Sequence, residues 1–211
     1  KSENAGSSWP SSVGNYEGYA ILSSVNRRTA ANYGADRPVT YISGGIGSGF
    51  WFGKVLPRTF TLCSITRYTG HTRGRILQTD KTNFLHGQWS GQVGVAHYGD
   101  ESSWTTPYIR NNAVIFDWVV LCGTNVAQRV YDSTGNIAIK AGSALREEQV
   151  LQVNQGRVGN EKSDWAVMEV ITWDRALSDE EMSATVKYLQ WKLAAGSSLQ
   201  AEHLAPSTTS S

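Results

Sequence analysis

The chain has 211 residues, a length at which an all-β sandwich still folds as one unit, and its 40% hydrophobic content is enough for a sizeable core. Lys and Arg number 19 against 18 Asp and Glu, and this net charge of +1 offers no electrostatic basis for nucleic acid or anionic membranes as partners. No apolar run approaches the ~20 residues that cross a bilayer, so no membrane insertion is expected.

The 21 Gly, 8 Trp and 9 Tyr, against 18% charged residues, fit a Gly-punctuated, aromatic-rich β protein of the extracellular kind. Because the first residue is Lys1 rather than Met, the chain reads as processed or as a fragment of a longer one. Up to residue 55 the sequence is Gly- and Ser-rich with few clear strands. Gly44-Gly-Ile-Gly-Ser-Gly49 reads as a flexible turn, and with no strong strand before it or helix after it, it is a poor phosphate loop.

From there the runs 60–68, 93–98, 113–122, 126–131, 136–140, 149–153 and 165–173 are rich in β-branched and aromatic residues. Gly, Asn, Asp and Ser clusters separate them, the pattern of short strands. Asp132-Ser-Thr-Gly135 predicts a hairpin turn with Gly135 at positive φ. After Leu177 the pattern changes. Ser178 and Glu181 make a capping box, and Met182, Val186, Leu189 and Leu193 form one apolar stripe, so a helix is predicted over 178–194. Gly196 is its expected stop. The resulting expectation is one domain over 1–196 and a Ser/Thr/Pro-containing tail over 197–211. That tail reads either as a linker or O-glycosylated stalk, or as a frayed terminus.

Cys63 and Cys122 each lie in a strand-like run, and two cysteines are too few for a disulfide scaffold or a zinc site. They form either one disulfide or two buried thiols. Bridged, they close a loop of about 60 residues and contribute roughly 3–5 kcal/mol. The extracellular reading carries the expectation that they sit on neighbouring strands of one sheet and are bonded.

The stretch Ser163-Asp-Trp-Ala-Val-Met-Glu-Val-Ile-Thr-Trp-Asp-Arg-Ala-Leu-Ser-Asp-Glu-Glu-Met182, running on to Tyr188-Leu189, resembles the closing motif of laminin-G-like, concanavalin-A-like domains. Upstream, Phe60-Thr-Leu-Cys63 and Trp118-Val-Val-Leu-Cys-Gly123 resemble early and central strands of such domains. The resemblance implies an all-β, two-layer antiparallel β-sandwich (jelly roll) with one C-terminal amphipathic helix. It does not fix function, because lectins, adhesion modules, glycanases and lyases share that fold.

Glycanase chemistry needs two carboxylates close together across the scissile bond. Glu169 is alone in its strand, sharing a face with Trp165, Val167, Ile171 and Trp173, and its expected partner is Arg157 or Arg175. Glu147-Glu148 lies in a loop and Asp179-Glu180-Glu181 at a helix start. A lyase needs a His–Tyr pair on one face, whereas His97 and Tyr98 are adjacent and point to opposite faces. The histidines at 71, 86, 97 and 203 lack metal-ligand spacing. Asp100 and Glu101 are the only loop acids suggestive of calcium, and no other cofactor is implied.

The densest segment is Asn83 to Tyr98, followed by Trp104. Sugar sites combine flat aromatic faces with amide and imidazole groups, and His86, Gln88, Trp89, His97, Tyr98 and Trp104 supply both. Core or rim packing of the tryptophans is the alternative. The sequence is therefore read as a non-catalytic, extracellular carbohydrate-binding or adhesion module whose partner is a glycan or an extracellular protein. A structural subunit of a self-assembling extracellular array comes second and a glycan-degrading enzyme third, with no hydrolase activity expected.

Overall fold

A computed structural model describes residues 8–13, 15–99, 104–110 and 114–203. Among these described residues, fourteen strands form two seven-stranded antiparallel sheets, numbered in chain order. The first sheet runs β1 (Ser8–Pro10), β2 (Glu17–Ile21), β5 (Gly49–Leu56), β13 (Gln149–Val153), β7 (Leu77–Thr79), β8 (Leu85–Trp89) and β9 (Gln92–His97). The second runs β12 (Gly135–Asn136), β11 (Val130–Asp132), β10 (Val119–Thr124), β6 (Thr61–Arg73), β14 (Ser163–Trp173), β4 (Ala35–Gly44) and β3 (Asn26–Asn32). Helix α1 (Asp179–His203) covers the outer face of the second sheet, so the expected sandwich with its C-terminal helix is the architecture found.

Two hydrophobic layers hold these parts together. Between the sheets, Phe50, Leu77, Leu151 and Val153 meet Leu62, Tyr68, Leu121 and Trp165. Beneath the helix, Ile65, Ala166 and Met168 meet the stripe Met182, Val186, Leu189 and Leu193. Each such aliphatic or aromatic side chain contributes roughly 1.5–3 kcal/mol by leaving water. The capping box is reciprocal: Glu181 N–H donates to Ser178 Oγ (3.3 Å) and Ser178 N–H to Glu181 Oε2 (2.8 Å). Arg175 also holds Glu181 through two bonds of 2.8 and 2.6 Å, and these contacts lower the Glu181 pKa to about 2, the arginine being the larger cause.

Several sequence expectations change. Residues 8–56 form five strands. β3 is an almost wholly exposed edge with no apolar alternation, and β4 carries Pro38 at a pairing irregularity between Ala30 and Asn32, where a missing N–H is tolerated. The Gly44–Gly49 turn carries the chain from one sheet to the other, and Asn154 clamps the Gly45 and Ser48 carbonyls (3.1 and 3.0 Å). The 113–122 run pairs only from Val119, residues 114–118 being a turn and residue 113 lying outside the described residues. The 136–140 run pairs only through Gly135–Asn136, although the predicted hairpin is present with Gly135 at φ 114°. The helix breaks at Gly196 (φ 73°), where a side chain would strike Arg37 and Pro38, and then continues to His203. Residues 197–203 of the expected tail are thus helical, and 204–211 lie outside the described residues.

Cys63 and Cys122 face each other across β6 and β10 and are disulfide-bonded. In β14 the pairing skips a residue between Val167 and Glu169. This bulge turns the strand over, so Trp165 and Val167 point between the sheets whereas Ile171 and Trp173 point to the helix side. Glu169 therefore does not share a face with Trp165 and Val167. Its partner is Lys192 of α1, not Arg157 or Arg175. Arg157 donates to the Lys81 carbonyl and Arg175 pairs with Glu181.

Candidate functional site

The edge hairpin β8–β9 carries the residues singled out from the sequence, and its pleat divides them. Gly94 is skipped in the pairing, with Gly87 opposite Val95 and Gln88 opposite Val93, and it takes φ 71°. Val93, Ala96 and Tyr98 consequently pack between the sheets, while His97 faces outward to Trp104.

Three of the six expected ligand residues point inward. His86 and Gln88 are fully buried and Tyr98 nearly so. Gln88 accepts a bond from Thr66 Oγ1 (2.9 Å) and donates to the Thr66 carbonyl (3.2 Å) on the opposite sheet. His86 Nδ1 lies 2.6 Å from the Tyr98 hydroxyl, and the two rings are stacked. Burial lowers the His86 pKa to about 3 and raises that of Tyr98 well above its ordinary value, so both groups are neutral and share one hydrogen bond between Nδ1 and the phenol oxygen. Among the described residues Nε2 completes no hydrogen bond, although it faces the Leu121 backbone. These three side chains belong to the inter-sheet core, beyond reach of a surface ligand.

The other three come together on the outer side of the hairpin, with His97 itself buried at 7% exposure beneath Trp104. Trp104 lies against Trp89 (ring centroids 4.9 Å, 61°), against His97 (5.7 Å, 88°) and against Tyr108 (6.0 Å). Trp89 and Trp104 are half-buried, and Tyr108 is 51% exposed. Trp89 Nε1 donates to Glu161 (3.1 Å), which is also ion-paired with Arg75. Arg75 in turn donates to Asn83 Oδ1 (2.6 Å) and the Phe84 carbonyl (3.2 Å). His97 Nδ1 donates to the Asn83 carbonyl (2.8 Å), and burial first, then the charge of Arg75, favour its neutral form. The result is an aromatic surface with a partly exposed carboxylate at its margin and a buried imidazole beneath it.

Tyr108 and Glu161 were missed by sequence reasoning. Tyr108 follows Trp104 by four residues, and its high polar-aromatic character was the available signal. Glu161 is remote in the chain, and only the fold brings it to Trp89. Asp100 and Glu101, suggested for calcium, lie outside the described residues, within which no cluster of three His, Cys, Asp or Glu is placed to hold a metal. No helix among the described residues is long and apolar enough to cross a membrane.

No family model matches the chain, and no curated protein matches it. Solved structures do resemble it. A Trypanosoma rangeli sialidase mutant displaying trans-sialidase activity superposes with a TM-score of 0.56 at 13% identity, over 90% of this chain and 32% of that one. Trypanosoma rangeli sialidase itself gives 0.54 at 15% identity, over 92% and 32%. The same sialidase in complex with the inhibitor DANA gives 0.53 at 13%, over 88% and 31%. At these identities the likeness is one of fold, and the chain spans about a third of each sialidase.

The sialidase likeness corrects the functional expectation. The chain was expected to be a non-catalytic binding or adhesion module, or else a structural subunit, and not an enzyme. The solved proteins that share its architecture are instead glycan-processing enzymes.

Proposed function

We propose that this chain is the β-sandwich portion of a glycan-processing enzyme of the glycosidase type, and that it engages the glycan through the aromatic surface around Trp104. The observation that carries this reading is the cluster in which Trp104 of the 104–110 segment meets Trp89 and the buried His97 of the edge hairpin and the exposed Tyr108. Pyranose rings present apolar C–H faces that flat aromatic rings cover, and the Glu161 carboxylate offers polar atoms at the margin for hydroxyls. The sialidase likeness supports glycan processing as the class, and covering a third of those chains supports a role as one part of a larger enzyme. The closing motif supports kinship with laminin-G-like, concanavalin-A-like domains. Residues 1–196 are taken as one domain, and the Cys63–Cys122 disulfide supports an extracellular location.

The test is a titration of the chain with sialylated and desialylated oligosaccharides, followed by tryptophan fluorescence and calorimetry, beside hydrolysis assays of the longer protein on the same glycans. Binding that Trp104→Ala weakens at least tenfold without unfolding the domain supports the reading. Binding unaffected by Trp104→Ala and Tyr108→Ala, or a longer protein that leaves every glycan intact, overturns it.

A further inference from the structure

A cleft of about 270 Å³ opens where the edge of the first sheet meets the second sheet and the helix, and the aromatic cluster contributes no residue to it. Its lining combines apolar side chains, among them Val93 of β9, Trp118 of the turn before β10 and Leu193 of α1, with the polar Arg110, Asp132, Ser133 and Gln190. Arg110 is held from three sides. Its N–H donates to Gln92 Oε1 (2.8 Å), Nη1 to the Gly94 carbonyl (3.4 Å) and Nη2 to Asp132 Oδ2 (2.7 Å). The Arg110 and Asp132 side chains are only 10% and 14% exposed. Thr134 fixes the other carboxylate oxygen, its N–H and hydroxyl donating to Asp132 Oδ1 at 2.7 and 2.6 Å.

We propose that this cleft is a second ligand site, built for a single uncharged, hydroxyl-rich ring such as a neutral monosaccharide unit. The argument is one of charge, size and amphipathy. The guanidinium is neutralised by Asp132 at contact distance, so the cleft has no spare positive charge to offset dehydration of an acidic sugar. A guanidinium has five N–H donors, and the contacts to Gly94 and Asp132 engage two. The volume lies just below the roughly 300–1,000 Å³ of sites for larger ligands, which suits one ring. A lining that mixes apolar side chains with hydrogen-bonding groups matches the amphipathic surface of a pyranose, with its C–H faces and hydroxyls. The inference starts from the glycan reading but uses different residues. Both sites hang on the 104–110 segment, which carries Trp104 and Tyr108 to one and Arg110 to the other.

The test uses the isotope-labelled chain, with D-glucose, D-galactose, N-acetylglucosamine and N-acetylneuraminic acid added separately while amide shifts are recorded by NMR. At least one neutral sugar is expected to shift Gly94, Thr134 and Gln190, and the acidic sugar to do so at least tenfold more weakly. Gln190→Trp, which fills the cleft from the helix, and Ser133→Trp, at an exposed turn position, are each expected to abolish these shifts; the second serves if the first fails to fold. Silence of these amides with all three neutral sugars overturns the proposal, as does an equal response to the acidic sugar or persistence of the shifts in a folded cleft-filling variant. Trp104→Ala separates the two readings: cleft shifts that survive it while oligosaccharide binding is unchanged leave this site standing and sink the aromatic one.

Discussion

The two faces of the β8–β9 hairpin share a composition and differ in fate. Inward, His86, Gln88 and Tyr98 are buried and hydrogen-bonded to each other or to the opposite sheet. Outward, Trp89 and the buried His97 meet Trp104, which reaches Tyr108 at the surface. Imidazole, aromatic ring and polar group occur on both sides, so residue type alone does not distinguish core from ligand surface. What does is the pleat, and a single unpaired residue, Gly94, resets it. Polar groups on the inner face bond mostly to one another and to the opposite sheet, because an unpaired one costs about 1–3 kcal/mol there, whereas those on the outer face bond to the neighbouring loops, Trp89 to Glu161 and His97 to Asn83.

The largest expected effect tests the inner face by acid. The His86 pKa is lowered to about 3 by burial, while an unfolded histidine titrates near 6.5. Between these values the unfolded chain binds the extra proton, so stability is full above pH 6.5 and falls as pH drops toward 3. The loss is on the order of 4–5 kcal/mol at the low end. Urea midpoints at several pH values, compared with those of His86→Phe, isolate the contribution from that of the carboxylates. Parallel curves for the two proteins break the contrast between the faces.

Next comes the partner of that histidine. Tyr98→Phe keeps the ring and removes the hydroxyl, leaving Nδ1 of a buried imidazole unpaired. A loss of about 1–3 kcal/mol is expected in chemical denaturation. A change below about 0.5 kcal/mol means that the pair contributes little.

Gly94→Ala addresses the sorting device itself. At φ 71° a side chain costs about 1–2 kcal/mol in the backbone. The added Cβ meets Arg110 no closer than 3.6 Å, so crowding adds little. Thermal unfolding reads the loss. An unchanged or raised melting temperature shows that the bulge is not fixed as described.

How much of this was legible beforehand depends on whether the signal was local. The capping box of Ser178 and Glu181, the apolar stripe to Leu193 and the Asp132–Gly135 turn are set by neighbours within a few residues, and each is present. β3 and β4 were not legible, because an exposed edge such as Asn26–Asn32 needs no alternation and Pro38 argues against a strand until its bulge is known. The cysteine pairing depended on strand order, which brings β6 beside β10. At the candidate site, aromatic density located Trp89, His97 and Trp104. It did not separate them from His86, Gln88 and Tyr98, because a one-residue bulge transfers a side chain to the other face. The same device in β14 moved Glu169 toward Lys192.

A stability effect no larger than that of Gly94→Ala carries the most functional weight. Trp104 is half-buried and packs against three rings, so Trp104→Ala is expected to cost about 1–2 kcal/mol, the low end for three partly exposed aromatic contacts. A tryptophan fully enclosed in a core costs about 3–5 kcal/mol when truncated. If the outer face is the ligand surface, the same substitution removes the platform on which a sugar ring stacks, and glycan affinity falls at least tenfold, about 1.4 kcal/mol or more. The two quantities therefore move in opposite proportion to those of Tyr98→Phe, which loses stability and leaves affinity unchanged once the folded fraction is accounted for. Denaturation and calorimetry on both variants test this crossing. Should Trp104→Ala lose 3 kcal/mol or more of stability, the outer cluster is a second core rather than a surface, and the contrast between the two faces of the hairpin collapses.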